Sequence, residues 1–560
     1  MRKRVSDGGV TVQAIAGNHA VFFGLDLSDA ARPGCLGWSI HRTDHTENED
    51  HWLAGFKTFE AVVPNPDPAA TYLSSDHPMQ TFYWGDYSTK PAHDYTYRFV
   101  PRFGAPGALQ DHPGVEVSID VSTNDPATGT HGVYFNRGVA ASQAYERKFG
   151  SSPGQLSGPK QAEALAWLSR GLFEAMVGFI GQATSAQFAL RAAVYEFTQP
   201  DVLKAFKAAH VAGADVQIVY HANADTQGSA NRKAIQDNGL DVIPGLMIPR
   251  TRAAIAHNKF FVFCTKDAAG TLTPVSIWTG STNLSEGGIF GHSNVGHAVR
   301  DSAVAGRYLD FWSELQGDPE LAAIQAWTDA NSPFAQNDVS SAGIHTLFSP
   351  RSNVDPLDWY AGEFGTGLTS SASITLPFGM TQVFEDDLTA YNGPALHFVM
   401  LDQRDSHQAV WSASKQVFVA VGSEGGPDVL SRWAKEALTG FNVHVPYLHT
   451  KILLVDPLSA NPTVISGSAN FSPNSTDLND ENMLVIPGDQ GVADVYFTEY
   501  ARIFQHFYAR YWASQIAAGG GGQTQSFLAD TDAWQTPYFT AGNPKFMLRT
   551  LYSTRVEGNA

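Results

Sequence analysis

Apolar and polar residues along the chain follow two rhythms, and one gives way to the other near residue 130. Before that point, short runs rich in β-branched and aromatic residues sit between turn clusters. Examples are Phe56–Val63, Met79–Trp84, Tyr95–Val100 and Val115–Val121. Strict alternation puts Tyr95, Tyr97 and Phe99 on one face, and Val115, Val117, Ile119 and Val121 on one face,. Pro64-Asn65-Pro66-Asp67-Pro68 and Gly104-Ala105-Pro106-Gly107 punctuate these runs,. Strands at this spacing predict a small β-sandwich over residues 1–130, similar in pattern to a fibronectin type III module.

Residues 131–158 read as a connecting segment, with a helix over Ser142–Lys148. Within it, Asn136 and Arg137 are read as a structural cap or ion pair, with contact to a bound phosphate as the competing role.

From Pro159 onward the rhythm lengthens. Ala162–Ile180 has helical spacing, followed by strand Leu190–Phe197, helix Val202–Ala212 and strand Val216–Tyr220,. His257–Cys264 and Val275–Trp278 follow as further strands. Strand–helix–strand alternation predicts a mostly parallel or mixed sheet covered by helices. Residues 341–518 repeat the order, with strands Ile374–Phe378, Gln416–Val421, Phe441–Val445, Val464–Ser466 and Met483–Ile486. A long helix over Val492–Trp512 closes this half. The predicted class is therefore α/β, with one half over 159–340 and a second over 341–518. Gly519–Gly522 reads as a linker to a tail ending at residue 560, whose Phe527, Trp534, Tyr538, Phe539 and Phe546 are expected to pack onto the body,.

The candidate chemistry falls at the same place in each half. His257-Asn258-Lys259-Phe260-Phe261-Val262-Phe263-Cys264 precedes Trp278-Thr279-Gly280-Ser281-Thr282-Asn283. His449-Thr450-Lys451-Ile452-Leu453-Leu454-Val455-Asp456 precedes Ser466-Gly467-Ser468-Ala469-Asn470. Positions i and i+2 of a strand share a face, so each imidazole points the same way as its ammonium group. A lone His in an apolar run is usually a satisfied core residue; two such pairs with matching downstream turns are not. The set suits a phosphodiester: ammonium and amide donors for phosphoryl oxygens, and imidazoles that attack or move protons. Arg250 and Arg252, just upstream, either add positive potential at the mouth of such a site or serve the fold.

Two copies of His-x-Lys-x4-Asp followed by Gly-Ser-x-Asn resemble the phospholipase D superfamily, the HKD phosphodiesterases, over roughly residues 160–515. The resemblance implies a pseudo-two-fold pair of α-β-α halves that form one active site between them. It implies His257 as nucleophile and His449 as acid/base. Lys259, Lys451, Asn283 and Asn470 would hold the phosphoryl oxygens, beside Ser281 and Ser468 as substrate-binding groups. Glu481, eleven residues beyond Asn470, and Asp456 would fix tautomer and ring orientation. The first copy departs from the pattern, with Cys264 in place of the motif Asp and Asn294, not an acid, eleven residues beyond Asn283. The implied reaction proceeds through a phosphohistidine without metal or cofactor, ending in hydrolysis or in transfer to an alcohol.

Composition narrows the substrate. A formal net charge of −19 argues against tight sequence-independent binding to nucleic acid,. The length and two fused motifs resemble the phospholipase-type members of that superfamily, which implies a phospholipid headgroup diester and lipid degradation, in a monomer with at most peripheral membrane contact. Metal-independent nuclease action on nucleic acid is the alternative. A weakly active or non-catalytic phosphate-binding protein is the reading from another class. Two cysteines, Cys35 and Cys264, point to reduced thiols,. The N-terminus has basic residues without an apolar run after them, and no apolar stretch reaches membrane-spanning length, so a cytoplasmic protein is expected,.

Overall fold

Alternation in the N-terminal region resolves into two antiparallel sheets that share one apolar interior, which fits a sandwich. The computed structural model describes residues 1–67, 70–112, 114–138, 142–423, 447–517 and 527–554. One sheet has the order Arg2–Asp7, Val10–Ala16, Val21–Leu27, Tyr83–Asp86. The other runs Ala108–Asp111, Asp94–Ala105, Gly37–Asp44, Glu49–Trp52, and Val117–Ser122 also pairs with Asp94–Ala105. Tyr95, Tyr97 and Phe99 are buried on the face that alternation assigned to them, as are Val117, Ile119 and Val121.

Two of the expected strands differ. Phe56–Val63 is largely turn, because only Thr58 and Phe59 find a buried place and Phe59 docks on Leu528 of the tail. The run at Met79–Trp84 becomes a strand only at Tyr83–Asp86, while Met79 makes an isolated bridge to Trp38.

The α/β region contains two seven-stranded mixed sheets with the same order. The first is His131–Phe135, Val295–Val299, Leu272–Gly280, Lys259–Lys266, Phe188–Val194, Asp215–His221, Met247–Arg250. The second is His345–Ser349, Glu481–Pro487, Thr463–Gly467, Ile452–Val455, Ser371–Leu376, Leu396–Leu401, Val417–Val421. In each, the last three strands are parallel and the others pair antiparallel. Residues 131–135, expected to lie in a connector, are the edge strand of the first sheet. Strand Leu396–Leu401 had no clear signal, since its neighbours on both faces leave it buried throughout rather than alternating,. The expected strand Phe441–Val445 and the Gly519–Gly522 linker lie outside the described residues.

One core joins the two sheets. Phe260, Val262 and Ile277 from the first meet Ile452, Leu454 and Leu484 from the second, along with Tyr308 and Phe311 of helix Ser302–Leu315. Helix Gln490–Ala517 adds Tyr496, Tyr500 and Phe504 to the same core. It is 28 residues long, but none of the described helices is long and apolar enough to cross a membrane.

The helix expected over Ala162–Ile180 is broken into Gly158–Ser169 and Leu172–Ile180. The break lies at Arg170 and Gly171, which have φ of 52° and 90°. Glycine takes that conformation freely. For Arg170 the strain is offset by a buried ion pair to Glu499 at 2.8 Å and a hydrogen bond to the His19 carbonyl at 2.8 Å.

The tail aromatics pack as expected: Trp534, Tyr538 and Phe539 surround Phe82 of the sandwich with ring centroids 5.1–5.2 Å apart. Cys35 and Cys264 are free and buried, and burial pushes their thiols up to about 12 and about 11.

Candidate active site

Each motif histidine enters its strand by pairing with the other half. Ala256 bridges Asp480, and the His257 amide donates to the Asp480 carbonyl at 3.0 Å. Ser293 bridges Leu448, and the His449 amide donates to the Ser293 carbonyl at 3.1 Å. These backbone contacts set the residue after each bridge against the opposite imidazole. His257 Nδ1 donates to both Glu481 oxygens, at 2.8 and 2.9 Å. His449 Nδ1 lies 3.0 Å from Asn294 Oδ1. Glu481, in the second half, thus serves the histidine of the first, and Asn294 serves the histidine of the second.

The surrounding network settles the Asn294 amide. Its Nδ2 donates to the Gly288 carbonyl at 2.7 Å, so Oδ1 accepts from His449 Nδ1–H and from Ser281 Oγ–H,. Both imidazoles therefore carry their proton on Nδ1 and keep Nε2 as a lone pair. The two orienting groups are not equivalent, for one is a carboxylate and the other a neutral amide.

Lys259 and Lys451 are buried, and each donates to the carbonyl of its own motif histidine, at 2.6 and 2.7 Å. Burial shifts all four groups toward their neutral forms. It lowers His257 to about 4 against the opposing pull of Glu481. It lowers Lys259 to about 8. His449 falls well below its ordinary value by burial, then by the charges of Lys451, His292, Lys259 and His257. Lys451 falls likewise by burial and by Lys259. Asn283 and Asn470 end the two Gly-Ser-x-Asn turns, and each amide oxygen is buried without a hydrogen-bond partner among the described residues.

Such a cluster is under-charged until an anion arrives. A bound phosphate would favour the protonated lysines and imidazole, so binding should take up protons. Calorimetric titration with inorganic phosphate at pH 8, in two buffers of different ionisation enthalpy, should show uptake of about one proton per site. Equal heats in the two buffers would contradict this electrostatic picture.

Several expected roles change. Ser281 and Ser468 were expected to bind substrate, but their hydroxyls are used within the protein. Ser281 Oγ accepts from the Val295 amide at 3.1 Å as well as donating to Asn294. Ser468 Oγ accepts from the Asn482 amide at 3.0 Å. Both hold in place the segment that carries an orienting residue. Asp456 was expected to orient an imidazole. It sits seven residues beyond His449, roughly 20 Å away along an extended strand,. Its carboxylate instead accepts from the amides of Thr369, Ser370 and Ser371, clamping the start of strand Ser371–Leu376.

Arg250 belongs to the fold: fully buried, it pairs with Asp480 at 2.9 Å and Asp318 at 2.9 Å, fixing the residue next to Glu481. Arg252 is exposed, with Glu320 at 2.9 Å. Asn136 takes the capping role, donating to the Ile289 and His292 carbonyls and accepting from the Asn294 amide. Arg137 lies over Trp167 and donates to its carbonyl.

The sequence reading missed four groups at this site. Tyr195 packs its ring 4.9 Å from that of His257, with Lys259 Nζ 5.3 Å from its centroid. His221 accepts from the Ala256 amide at 3.3 Å and faces Asp225 at 2.9 Å. His292 packs 4.7 Å from His449. Glu196 accepts from Ser285 Oγ at 2.6 Å. Glu196, and Tyr195 before it, had a signal, since they follow the strand paired with Lys259. His221 ends strand Asp215–His221 and His292 lies in a loop, and their arrival at the site is a tertiary matter. Among the described residues, two groups have the ligand spacing for a metal ion, Glu385/Asp405/His407 and Asp44/Glu47/Glu49, and neither includes a residue of the histidine site.

The model of the cardiolipin synthase family's phospholipase D-like domain matches residues 179–314 and 400–508, which hold both motifs. No curated protein matches the chain. Among solved structures, the chain is similar to phosphatidylserine synthase from Haemophilus influenzae Rd KW20, at 11% identity over 69% of this chain and 94% of that one, with TM-score 0.41. It is similar to Nuc, a phospholipase D family member from Salmonella typhimurium, at 24% identity over 26% of this chain and 87% of that one, with TM-score 0.21. It is also similar to polyphosphate kinase from Porphyromonas gingivalis, at 12% identity over 56% of this chain, TM-score 0.37, and it spans 46% of that chain.

Proposed function

We propose, on the premise that this chain belongs to the phospholipase D superfamily, that it is a metal-independent phosphodiesterase with one active site shared by its two halves. The observation that carries this reading is the reciprocal orientation of the two imidazoles, His257 by Glu481 and His449 by Asn294. Neither half holds a complete set, so the halves act as a pseudo-two-fold pair. In our reading residues 1–130 form an accessory sandwich, 131–158 a connector that begins with an edge strand, 159–340 and 341–518 the two halves, and 519–560 the tail.

The chemistry follows from the asymmetry. His257 Nε2 attacks phosphorus, forming a P–N bond as the P–O bond to the leaving group breaks. Glu481 supports the positive charge that grows on this ring, the third-group role of a triad. Once the bound phosphate has let His449 take a proton, His449 passes it to the leaving oxygen. An amide neighbour does not hold an imidazolium as a carboxylate does, which leaves His449 the better acid. In the second step His449 takes a proton from water as the oxygen attacks phosphorus, and the P–N bond breaks. An alcohol in place of water gives transfer. Lys259, Lys451, Asn283 and Asn470 are the donors for the phosphoryl oxygens.

A phospholipid is the favoured substrate, on the net charge of −19 and the two fused motifs,. Purified protein in EDTA should release choline from phosphatidylcholine vesicles and leave single-stranded DNA intact. Cleavage of DNA alone would move the assignment to nuclease. No turnover of either, with binding of phosphate retained, would support the non-catalytic reading.

A further inference from the structure

Beside the histidine site stands an acid that phosphate binding does not need. Glu196 lies two residues past Val194, which pairs with Lys259 across the sheet. Its carbonyl accepts from the Leu284 amide at 3.1 Å, and its carboxylate accepts from Ser285 Oγ at 2.6 Å. Ser285 is two residues beyond Asn283, so this half-buried carboxylate is tied to the turn that ends in a phosphate donor. Its charge reaches both Lys259 and Lys451, opposing the burial that pushes their ammonium groups down. It also acts on Tyr195, the ring packed on His257.

The second half has no equivalent acid. Continuing its register from Ile374 opposite Leu453, the position that matches Glu196 is Phe378, in the turn after strand Ser371–Leu376. Phe378 is 65% exposed. The first half therefore offers an acid at this position and the second an exposed apolar ring.

Counting charges gives the consequence. Two ammonium groups, Lys259 and Lys451, face two carboxylates, Glu481 and Glu196. Glu481 is committed to His257, which leaves Glu196 as the charge that a substrate meets. A single diester carries one negative charge, which the lysines accommodate. A monoester dianion, a pyrophosphate or a strand with neighbouring phosphates brings further charge against Glu196. That repulsion is expected to cost about tenfold in affinity for each added unit of charge at this range.

We infer that Glu196 is a specificity-determining residue that restricts the cleft to isolated, monoanionic phosphodiesters and excludes polyanions. This rests on the phosphodiesterase reading and deepens it, since a lipid headgroup diester is such a monoanion and an oligonucleotide is not.

The test compares the wild type with Glu196→Gln, which keeps an acceptor for Ser285 and the side-chain shape. Affinities for diethyl phosphate, inorganic phosphate and pyrophosphate are measured by calorimetry at pH 8 and low salt, with melting curves to verify folding. The variant should bind all three more tightly, with the gain rising about tenfold per unit of anion charge. Its turnover of single-stranded DNA relative to short-chain phosphatidylcholine should rise by a similar factor. The same gain for every anion, or none, would overturn the inference. Because anion binding is read without turnover, a protein that cleaves neither substrate would sink the phosphodiesterase reading while the charge-dependent gain still judged Glu196. Ser285→Ala, which unties the carboxylate, should soften the discrimination in the same direction by a smaller factor; unchanged ratios in both variants would also count against it.

Discussion

With bis(p-nitrophenyl) phosphate, His449→Ala is expected to release one equivalent of nitrophenolate per site in a burst and then stall, whereas His257→Ala releases none. Nitrophenolate leaves without a proton, so the first step survives the loss of the acid. The second step does not, because no base remains to activate water, and steady turnover should fall by about 10³-fold or more. Loss of His257 removes the atom that becomes bonded to phosphorus, so no adduct forms at all. Alkaline quench and peptide mapping of the His449→Ala protein should place the phosphoryl group on the peptide containing His257. A burst in His257→Ala, or an adduct on the peptide containing His449, would reverse the two roles. Glu481→Gln should sit between these extremes, with a smaller burst rate and an intact burst size, since the carboxylate supports the ring and does not bond to substrate.

Acid should unfold this protein early. His257, His297, His397 and His449 are all buried, and burial holds each of them below its ordinary value, His257 and His397 at about 4 and the other two well below the usual imidazole range. Their pKa in the unfolded chain is about 6.5. Between that value and about 4 the unfolded state binds more protons than the folded one, so stability rises with pH through this window and is lost as pH falls below 6.5. Each group contributes up to about 1.4 kcal/mol per pH unit, and four together up to roughly 5.5 kcal/mol per unit. Asp402 opposes them: burial pushes its carboxyl up to about 6, so it takes up a proton in the folded state first and offsets one of the four. Thermal unfolding should give a midpoint that falls steeply between pH 6.5 and 4.5 and rises further above pH 7.5, where the unfolded chain holds protons that buried Lys259 and Lys451 give up in the folded state,. A midpoint unchanged from pH 7 to pH 5 would show that these imidazoles are protonated without cost. Bound phosphate should flatten the curve, because it compensates the charge on His449.

Much of the site was legible in one dimension. A His and a Lys two apart at the head of an apolar strand must share a face, whatever the strand pairs with. Two such heads, each followed by Gly-Ser-x-Asn, mark the candidate site, and the alternation at Tyr95–Val100 and Val117–Val121 identifies the buried faces of the sandwich. Those are local rules, carried by the period of a strand. The partner of each imidazole is not local. Glu481 and Asn294 stand in matching places in their own halves, and only the bridges Ala256–Asp480 and Ser293–Leu448 show that each crosses to the other histidine. The same holds for Ser281 and Ser468, whose hydroxyls look available in a turn and are consumed by the strands packed beside them. It holds for Arg170 and Gly171, where a helical spacing continues but an ion pair to Glu499 breaks the helix. The sequence by itself determined which groups share a strand face and a turn in each half, because strand and turn periodicity act over a few residues. Only the tertiary structure decided which group serves which, because hydrogen bonds between residues more than 150 positions apart depend on how two sheets meet.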